Sequence, residues 1–391
     1  MSRDFVQIDS GVSDEVYQDQ ILPHVSRTFA LTIPQLPPGL RTAVTSAYLL
    51  CRIADTVEDE PALSAEETLA FLQRFTAVVC GEEEAASLAR ELEQRLSDRT
   101  LPAERDLVRN MERVIRMTAR LHDQQRAAIQ HCIEVMCYGM HHFQPTASVR
   151  GLPRSSDLDS YCYYVAGVVG EMLTELFCSH SPTISQRRAA LHDLAASFAQ
   201  GLQMTNILKD VWEDRQRGAC WLPQEVFSRH GIDLAQLSAE RYDARFHAGM
   251  RELVGGAHAH LRNALAFTLL IPREEPGIRR FCLWAVGLAV LTLRKIERTP
   301  RFTAGSQVKV SRSAVAMTRI LTSLAVRNDR MLKRLFEHAA KVLPLAAPST
   351  VRGPARTTMF AADTPGPRAE YSRRRSQLES SGRRSDGSSA P

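Results

Sequence analysis

From about residue 14 to residue 341 the apolar residues return at helical spacing, and no alternating run of β-branched residues long enough for a strand interrupts them. The chain is therefore expected to be all-α. Helices are expected over residues 14–22, from Pro38 through residue 59, and over 64–79, 84–96, 104–121, 123–142, 157–178, 186–213, 250–270, 277–297 and 311–341. Ser64 and Glu67 are spaced as a capping box, and Pro23 is expected to end the first helix. No G-x-G-x-x-G or Walker-type glycine loop occurs, which removes the Rossmann and P-loop routes to nucleotide binding. From about Pro344 the apolar periodicity gives way to Pro, Ser, Gly and Arg. One all-α domain over residues 1–345 is thus expected, followed by a disordered basic tail over 346–391.

Two stretches stand out within the helical pattern. Asp55, Glu58 and Asp59 lie at i, i+3 and i+4, and Asp210, Glu213 and Asp214 repeat that spacing, so each trio projects from one helical face. Such faces repel themselves. Hard cations such as Mg²⁺, which take carboxylate oxygens and bridge to phosphate, account for them best. The flanks 43–50 and 202–208 are largely apolar, which points both trios at an internal cavity. Arg52, three residues before Asp55, and Tyr48, four before Arg52, share the first stripe. A diphosphate held through Mg²⁺ is the natural ligand; Arg27, Arg52, Lys209, Arg215 and Arg217 add positive charge, so that the bond to carbon ionises and leaves a carbocation.

Between the trios runs Tyr161-Cys162-Tyr163-Tyr164-Val165-Ala166-Gly167-Val168-Val169-Gly170-Glu171. Gly167 and Gly170 each cost a helix roughly 1 kcal/mol relative to Ala, so this backbone must approach something closely, either a ligand or a neighbouring helix. Tyr161 and Tyr164, at i and i+3, offer ring faces to a cation and hydroxyls for proton exchange.

The formal charge of +5 sits mostly in the tail, where residues 348–391 hold eight arginines and four acids. The 41 basic and 40 acidic residues ahead of it nearly cancel, which gives nucleic-acid binding no support. Eight scattered cysteines without a C-x-x-C pair read as thiols of a reducing compartment. The N-terminus is not a secretory signal, and the longest apolar run, residues 281–293, falls short of a membrane span. A cytoplasmic protein with no transmembrane helix is expected, with a peripheral contact to the inner face of the membrane left open.

Ser26-Arg27-Thr28-Phe29, the Tyr48 to Asp59 stretch, the Tyr161 to Gly170 stretch, Gln203-x-Thr205-Asn206-Ile207-x-x-Asp210-x-x-Glu213-Asp214 and Trp221-Leu222-Pro223-Gln224-Glu225 resemble, in order, the motifs of the squalene/phytoene synthase family. The resemblance covers about residues 15–335. It implies the isoprenoid synthase fold, a helical bundle around a central cavity, and head-to-head condensation of two prenyl diphosphates through a cyclopropyl intermediate. By the same resemblance Asp55, Glu58, Asp59, Asp210, Glu213 and Asp214 hold Mg²⁺, and Tyr48, Arg52 and Tyr161 are catalytic. Ser26, Arg27, Phe29, Tyr164, Gln203, Asn206 and Arg217 are expected around the substrate.

Within the family, squalene synthases add a reduction by NADPH, whereas phytoene and dehydrosqualene synthases release the unreduced product. Arg27, Arg52, Lys209, Lys309 and Arg312 are the candidates for the NADPH phosphates, and their number favours the reducing branch acting on farnesyl diphosphate. Two departures stand against the family pattern: Lys209 where Arg is usual, and Lys309 and Arg312 spaced one residue wider than the basic pair of animal and fungal enzymes. The polar tail stands where eukaryotic squalene synthases carry a membrane anchor, as a bacterial enzyme would. Chain-elongating prenyltransferases use Asp-Asp-x-x-Asp, which neither trio matches, and terpene cyclases pair their acidic motif with an Asn/Ser/Glu motif. A helical partner subunit without activity would have let its acids decay.

Overall fold

The computed structural model describes residue 5 and residues 7–143, 148–239 and 243–346. Its first helix, α1 (Asp14–Val25), runs through Pro23 instead of stopping there. The carbonyl that loses its donor belongs to Asp19, an exposed residue, so water can replace the missing bond. Pro38 occupies the first turn of α2 (Pro38–Glu58), where no backbone donor is needed, and Asp59 caps its far end. The capping box at Ser64 is formed: Ser64 Oγ accepts the Glu67 N–H at 3.2 Å and Glu67 Oε2 accepts the Ser64 N–H at 2.8 Å, opening α3 (Ala65–Cys80). After α4 (Ala85–Arg95) the expected 104–121 helix is broken at Asn110 into α5 (Pro102–Arg109) and α6 (Met111–Ala119).

The helix α7 (Asp123–Phe143) follows, then α8 (Ser155–Cys162), a wide π-type turn over Tyr163–Gly167, and α9 (Val168–His180). That turn lies in the glycine-bearing stretch. A Cβ on Gly170 would lie 2.0 Å from the Ala195 carbonyl oxygen, and one on Gly167 would lie 3.4 Å from Ala196 Cβ. The close approach is therefore to a neighbouring helix, α10 (Arg188–Lys209), which settles the alternative the sequence leaves open. The expected 186–213 helix ends at Lys209, and Asp210 is the joint to α11 (Val211–Gln216). The Asp214 N–H still reaches the Asp210 carbonyl at 2.9 Å, so the spacing of the acids survives the break.

The described residues end with α12 (Ala244–Leu270), α13 (Pro276–Arg298), α14 (Arg312–Ala325) and α15 (Asp329–Ala340). The last two were expected as one helix; Asn328 interrupts it and caps α15 by accepting the Met331 N–H at 3.1 Å. Buried Arg279, at the start of α13, donates to the carbonyls of Ile271 and Val326 and to Asp329 Oδ1, each at 2.8–2.9 Å, and ties these helices together. Among the described residues the only pairing of strand type is a bridge between Leu152 and Pro223, so the all-α expectation holds. The basic tail falls, from residue 347, outside the described residues.

The apolar run 281–293 belongs to the 23-residue α13, which is long and apolar enough to cross a membrane. In this fold 61% of its most apolar window is buried, as in a core helix. No disulfide joins cysteines among the described residues, and six of the eight are buried. On α12, His260 is 3% exposed beside α10, its Nδ1 2.8 Å from Ser197 Oγ. Burial holds this imidazole down at about 4, from an ordinary 6.5. Its folded-state value is depressed, so its contribution is complete above pH 6.5 and is lost as the pH falls toward 4. Relative to His260→Gln, the wild type should lose up to about 1.4 kcal/mol per pH unit in that window. Denaturant unfolding of both proteins at stepped pH checks this, and parallel curves would refute it.

Candidate active site

The end of α2 carries the first trio. Tyr48 donates its hydroxyl to the Val25 carbonyl at 2.9 Å, and Arg52 Nη2 donates to the Tyr48 oxygen at 3.4 Å. The same guanidinium lies 3.7 Å from Asp55 and 3.8 Å from Glu104, an acid of α5 that sequence patterns do not single out. Asp55 keeps 39% of its side-chain surface open, yet protein crowds it from behind. That burial, opposed by Arg52, raises its carboxyl to about 6. Burial and then the neighbouring Asp55 and Asp59 hold Glu58 well above the carboxylate range. These are acids forced together against their own repulsion.

The second trio opposes it. Lys209 pairs with Asp210 at 3.0 Å, Glu213 Oε1 accepts the Gly305 N–H at 2.8 Å, and Glu213 Oε2 is buried without a partner. Gly305 fits there because it has no side chain: a Cβ would lie 2.8 Å from Asp210 Oδ1. Burial raises Asp214 to about 6. Arg217 spans the gap between the trios, with Nη2 at 2.6 Å from Asp214 and Nη1 at 3.5 Å from Asp59. One guanidinium thus measures the distance between the two acidic faces.

The six acids do not converge into a closed cage. Among the described residues no three His, Cys, Asp or Glu side chains share one point where a metal ion would sit. They form two open sets of hard oxygen donors on either side of a gap, and the unpartnered buried Glu213 Oε2 is the clearest unmet donor. Mg²⁺ suits such sets, since it takes one or two carboxylates and fills its remaining positions with water and phosphate oxygens.

Tyr161 lies under both trios. Burial, then Glu58, Cys162, Asp59 and Asp214, push its phenol well up, so it remains an O–H at neutral pH. Its ring stacks on Trp221 at 4.0 Å and 5° and meets the Phe143 ring in a T-shaped contact at 5.6 Å. Tyr164 has a different setting, with the rings of Tyr138, Tyr163 and Phe143 at 5.7–6.1 Å. Phe29 lies against Tyr48 at 5.0 Å, and Ser26 Oγ accepts the Phe29 N–H at 2.9 Å, holding the turn that carries Arg27. Gln203 is half-buried on α10 and Asn206 is exposed.

The five candidate cations separate into two groups. Lys309 is lowered by burial and then by Arg27, Lys209 and Arg312, so those four lie within electrostatic reach of one another. Arg52 stands apart, engaged by Tyr48, Asp55 and Glu104. Arg215 also lies apart: it donates to the carbonyls of Val149 and Leu237 at 2.8 and 2.9 Å and braces the loop after α11. Trp212 Nε1 donates to the Phe302 carbonyl at 2.8 Å and Lys295 Nζ to that of Lys309 at 2.7 Å, which pins the segment carrying Gly305 and Lys309 over the second trio.

The sequence model of the family described as squalene/phytoene synthase matches residues 22–314. A squalene synthase of Candida albicans is 30% identical over 296 residues, 73% of this chain and 62% of that protein. The chain thus spans a little under two thirds of the length of the curated relatives it matches first. A complex of TcSQS with a ligand superposes with a TM-score of 0.67 at 24% identity, covering 84% of this chain and 98% of that one. A dehydrosqualene synthase complex superposes with a TM-score of 0.57 at 21% identity, covering 83% and 97%. At these identities the superpositions establish a shared fold.

Proposed function

This chain belongs to the squalene/phytoene synthase family, and from that premise we propose that it joins two farnesyl diphosphates head to head into a cyclopropyl diphosphate and reduces that product with NADPH to squalene. The observation that carries the reading is a pair of opposed acidic trios, one guanidinium apart, with four cations gathered at the second trio. The first part suits substrate diphosphates held through metal. The second gathers four cations, of which Lys209 pairs with Asp210 at 3.0 Å, and suits the phosphates of a phosphorylated hydride donor.

Asp55, Glu58 and Asp59 from one side and Asp210, Glu213 and Asp214 from the other are the residues to hold Mg²⁺. Bound there, Mg²⁺ would neutralise the negative charge that builds on a departing diphosphate. Arg52 is kept charged and oriented by Tyr48 and Glu104, ready for the same oxygens. Arg217, already between the trios, exchanges its carboxylate partners for diphosphate oxygens. Tyr161 offers the carbocation a protonated hydroxyl, and Trp221 and Phe143 pack its ring and keep water from it. Phe29 packs on Tyr48, which in turn holds Arg52 at the first trio.

The test is product analysis from farnesyl diphosphate and Mg²⁺, with and without NADPH. Squalene with the cofactor and the cyclopropyl diphosphate without it is the expected result. Dehydrosqualene under both conditions would place the chain in the non-reducing branch, and activity only with geranylgeranyl diphosphate would make it a phytoene synthase. We propose a cytoplasmic location, a reading supported by eight scattered cysteines without a C-x-x-C pair.

A further inference from the structure

The helix α14 is turned outward. Thr318, Thr322 and Ser323, with Ala314 and Val315, make up its half-buried side, and Thr318 packs so closely that a Cβ on Gly287 of α13 would lie 2.7 Å from its methyl carbon. Thr318 and Thr322 donate their hydroxyls to carbonyls one turn back in the same helix, at 2.8 and 2.7 Å, so neither needs an outside partner. The large apolar side chains lie on the opposite side. Met317 is 54% exposed, Ile320 54%, Leu321 40% and Leu324 81%, a stripe at helical spacing over two turns. A helix of a globular protein normally buries that stripe and exposes its threonines, so this one is built for an apolar environment outside the fold.

The charge around the stripe selects that environment. Arg327, Arg330, Lys333 and Arg334 follow it, all exposed, and the two acids of α15 are already engaged, Asp329 by Arg273 and Arg279 and Glu337 by Arg262. We infer that α14 and the start of α15 form a docking surface for an anionic phospholipid leaflet, with Met317, Ile320, Leu321 and Leu324 entering the acyl boundary and the basic rim meeting the headgroups. The helix has 14 residues, too few to span, so the contact lies in the plane of the interface. The tail is a poor cover for the stripe, because its eight arginines and four acids carry the same sign as the rim. A second copy would bring two such rims together.

The inference does not depend on the reaction, so vesicle binding and product identity fail separately. The experiment is co-sedimentation of the full chain with phosphatidylcholine vesicles, with and without added phosphatidylglycerol. Binding to the anionic vesicles is expected, falling as salt is raised. Ile320→Ser with Leu324→Ser should lower partitioning at least about tenfold, since each side chain loses its apolar transfer. Arg330→Ser with Lys333→Ser should lower it roughly tenfold on anionic vesicles only. Wild-type protein that stays in solution, or an Ile320/Leu324 variant that binds undiminished, overturns the inference. A dimer in analytical ultracentrifugation that the Ile320/Leu324 variant dissolves would also overturn it and assign the stripe to a second copy.

Discussion

Asp55→Ala and Asp210→Ala should each lose turnover by about a thousandfold or more while the protein keeps its helical content, because each removes an oxygen donor from a set that faces the leaving group. Folding should not suffer. Asp55 is held charged in a crowded place that raises its carboxyl to about 6, so at neutral pH its removal relieves an unfavourable burial, and its contact with Arg52 at 3.7 Å offsets little of it. By linkage, a carboxylate raised in the fold destabilises fully above its folded value of about 6, and the penalty fades as the pH falls from there to the ordinary 3.8. Asp55→Ala should therefore melt at or above the wild-type temperature at pH 7, with the difference closing as the pH falls from about 6 toward 4. Asp210 gives up a half-exposed pair with Lys209, worth about 1 kcal/mol at most. A readout apart from activity is melting with Mg²⁺ and inorganic diphosphate, which should stabilise the wild type and leave both variants unmoved. Full turnover in either variant would remove the trios from the chemistry.

The acids were legible because their spacing is a property of the backbone. It holds across the joint at Asp210, where the helix breaks but the bond from the Asp214 amide to the Asp210 carbonyl does not. The joint itself was hidden, since apolar residues recur on both sides of it, and the same continuity hid the breaks at Asn110 and Asn328. At Asn328 a signal did exist in a side chain able to cap the next helix. Contacts between distant segments left no local mark. Glu104 beside Arg52, Trp221 stacked on Tyr161, and the Gly305 amide on Glu213, 92 residues away, depend on how helices pack. The grouping of cations shows the same limit. Residue types place Arg52 with Arg27, Lys209, Lys309 and Arg312, and packing separates it, because Tyr48 and Asp55, on its own helix face, and Glu104 hold it at the first trio. The glycines of 161–171 were ambiguous for a related reason: a close approach can be read from sequence, but its partner cannot.

That separation makes the two halves of the proposed reaction distinguishable. Lys309 and Arg312 are exposed, so replacing both by alanine leaves the core untouched. Lys309 is lowered by burial and by three neighbouring cations, a repulsion that a bound phosphate relieves. Each lost charge-assisted contact to a phosphate is worth about 1.5–3 kcal/mol, or roughly one to two orders of magnitude in affinity. If these residues hold NADPH, the double variant should form the cyclopropyl diphosphate at close to the wild-type rate, require far more NADPH to reduce it, and accumulate the intermediate at cofactor levels that suffice for the wild type. Arg52→Ala should behave in the opposite way, slowing the first condensation and leaving the NADPH requirement unchanged, because it stands with the first trio. Rapid-quench analysis of intermediate and hydrocarbon as NADPH is varied reads both effects at once. Should Lys309→Ala with Arg312→Ala slow the first condensation as much as Arg52→Ala does, the four cations would serve the substrate diphosphates, and the non-reducing reading of this family member would take precedence.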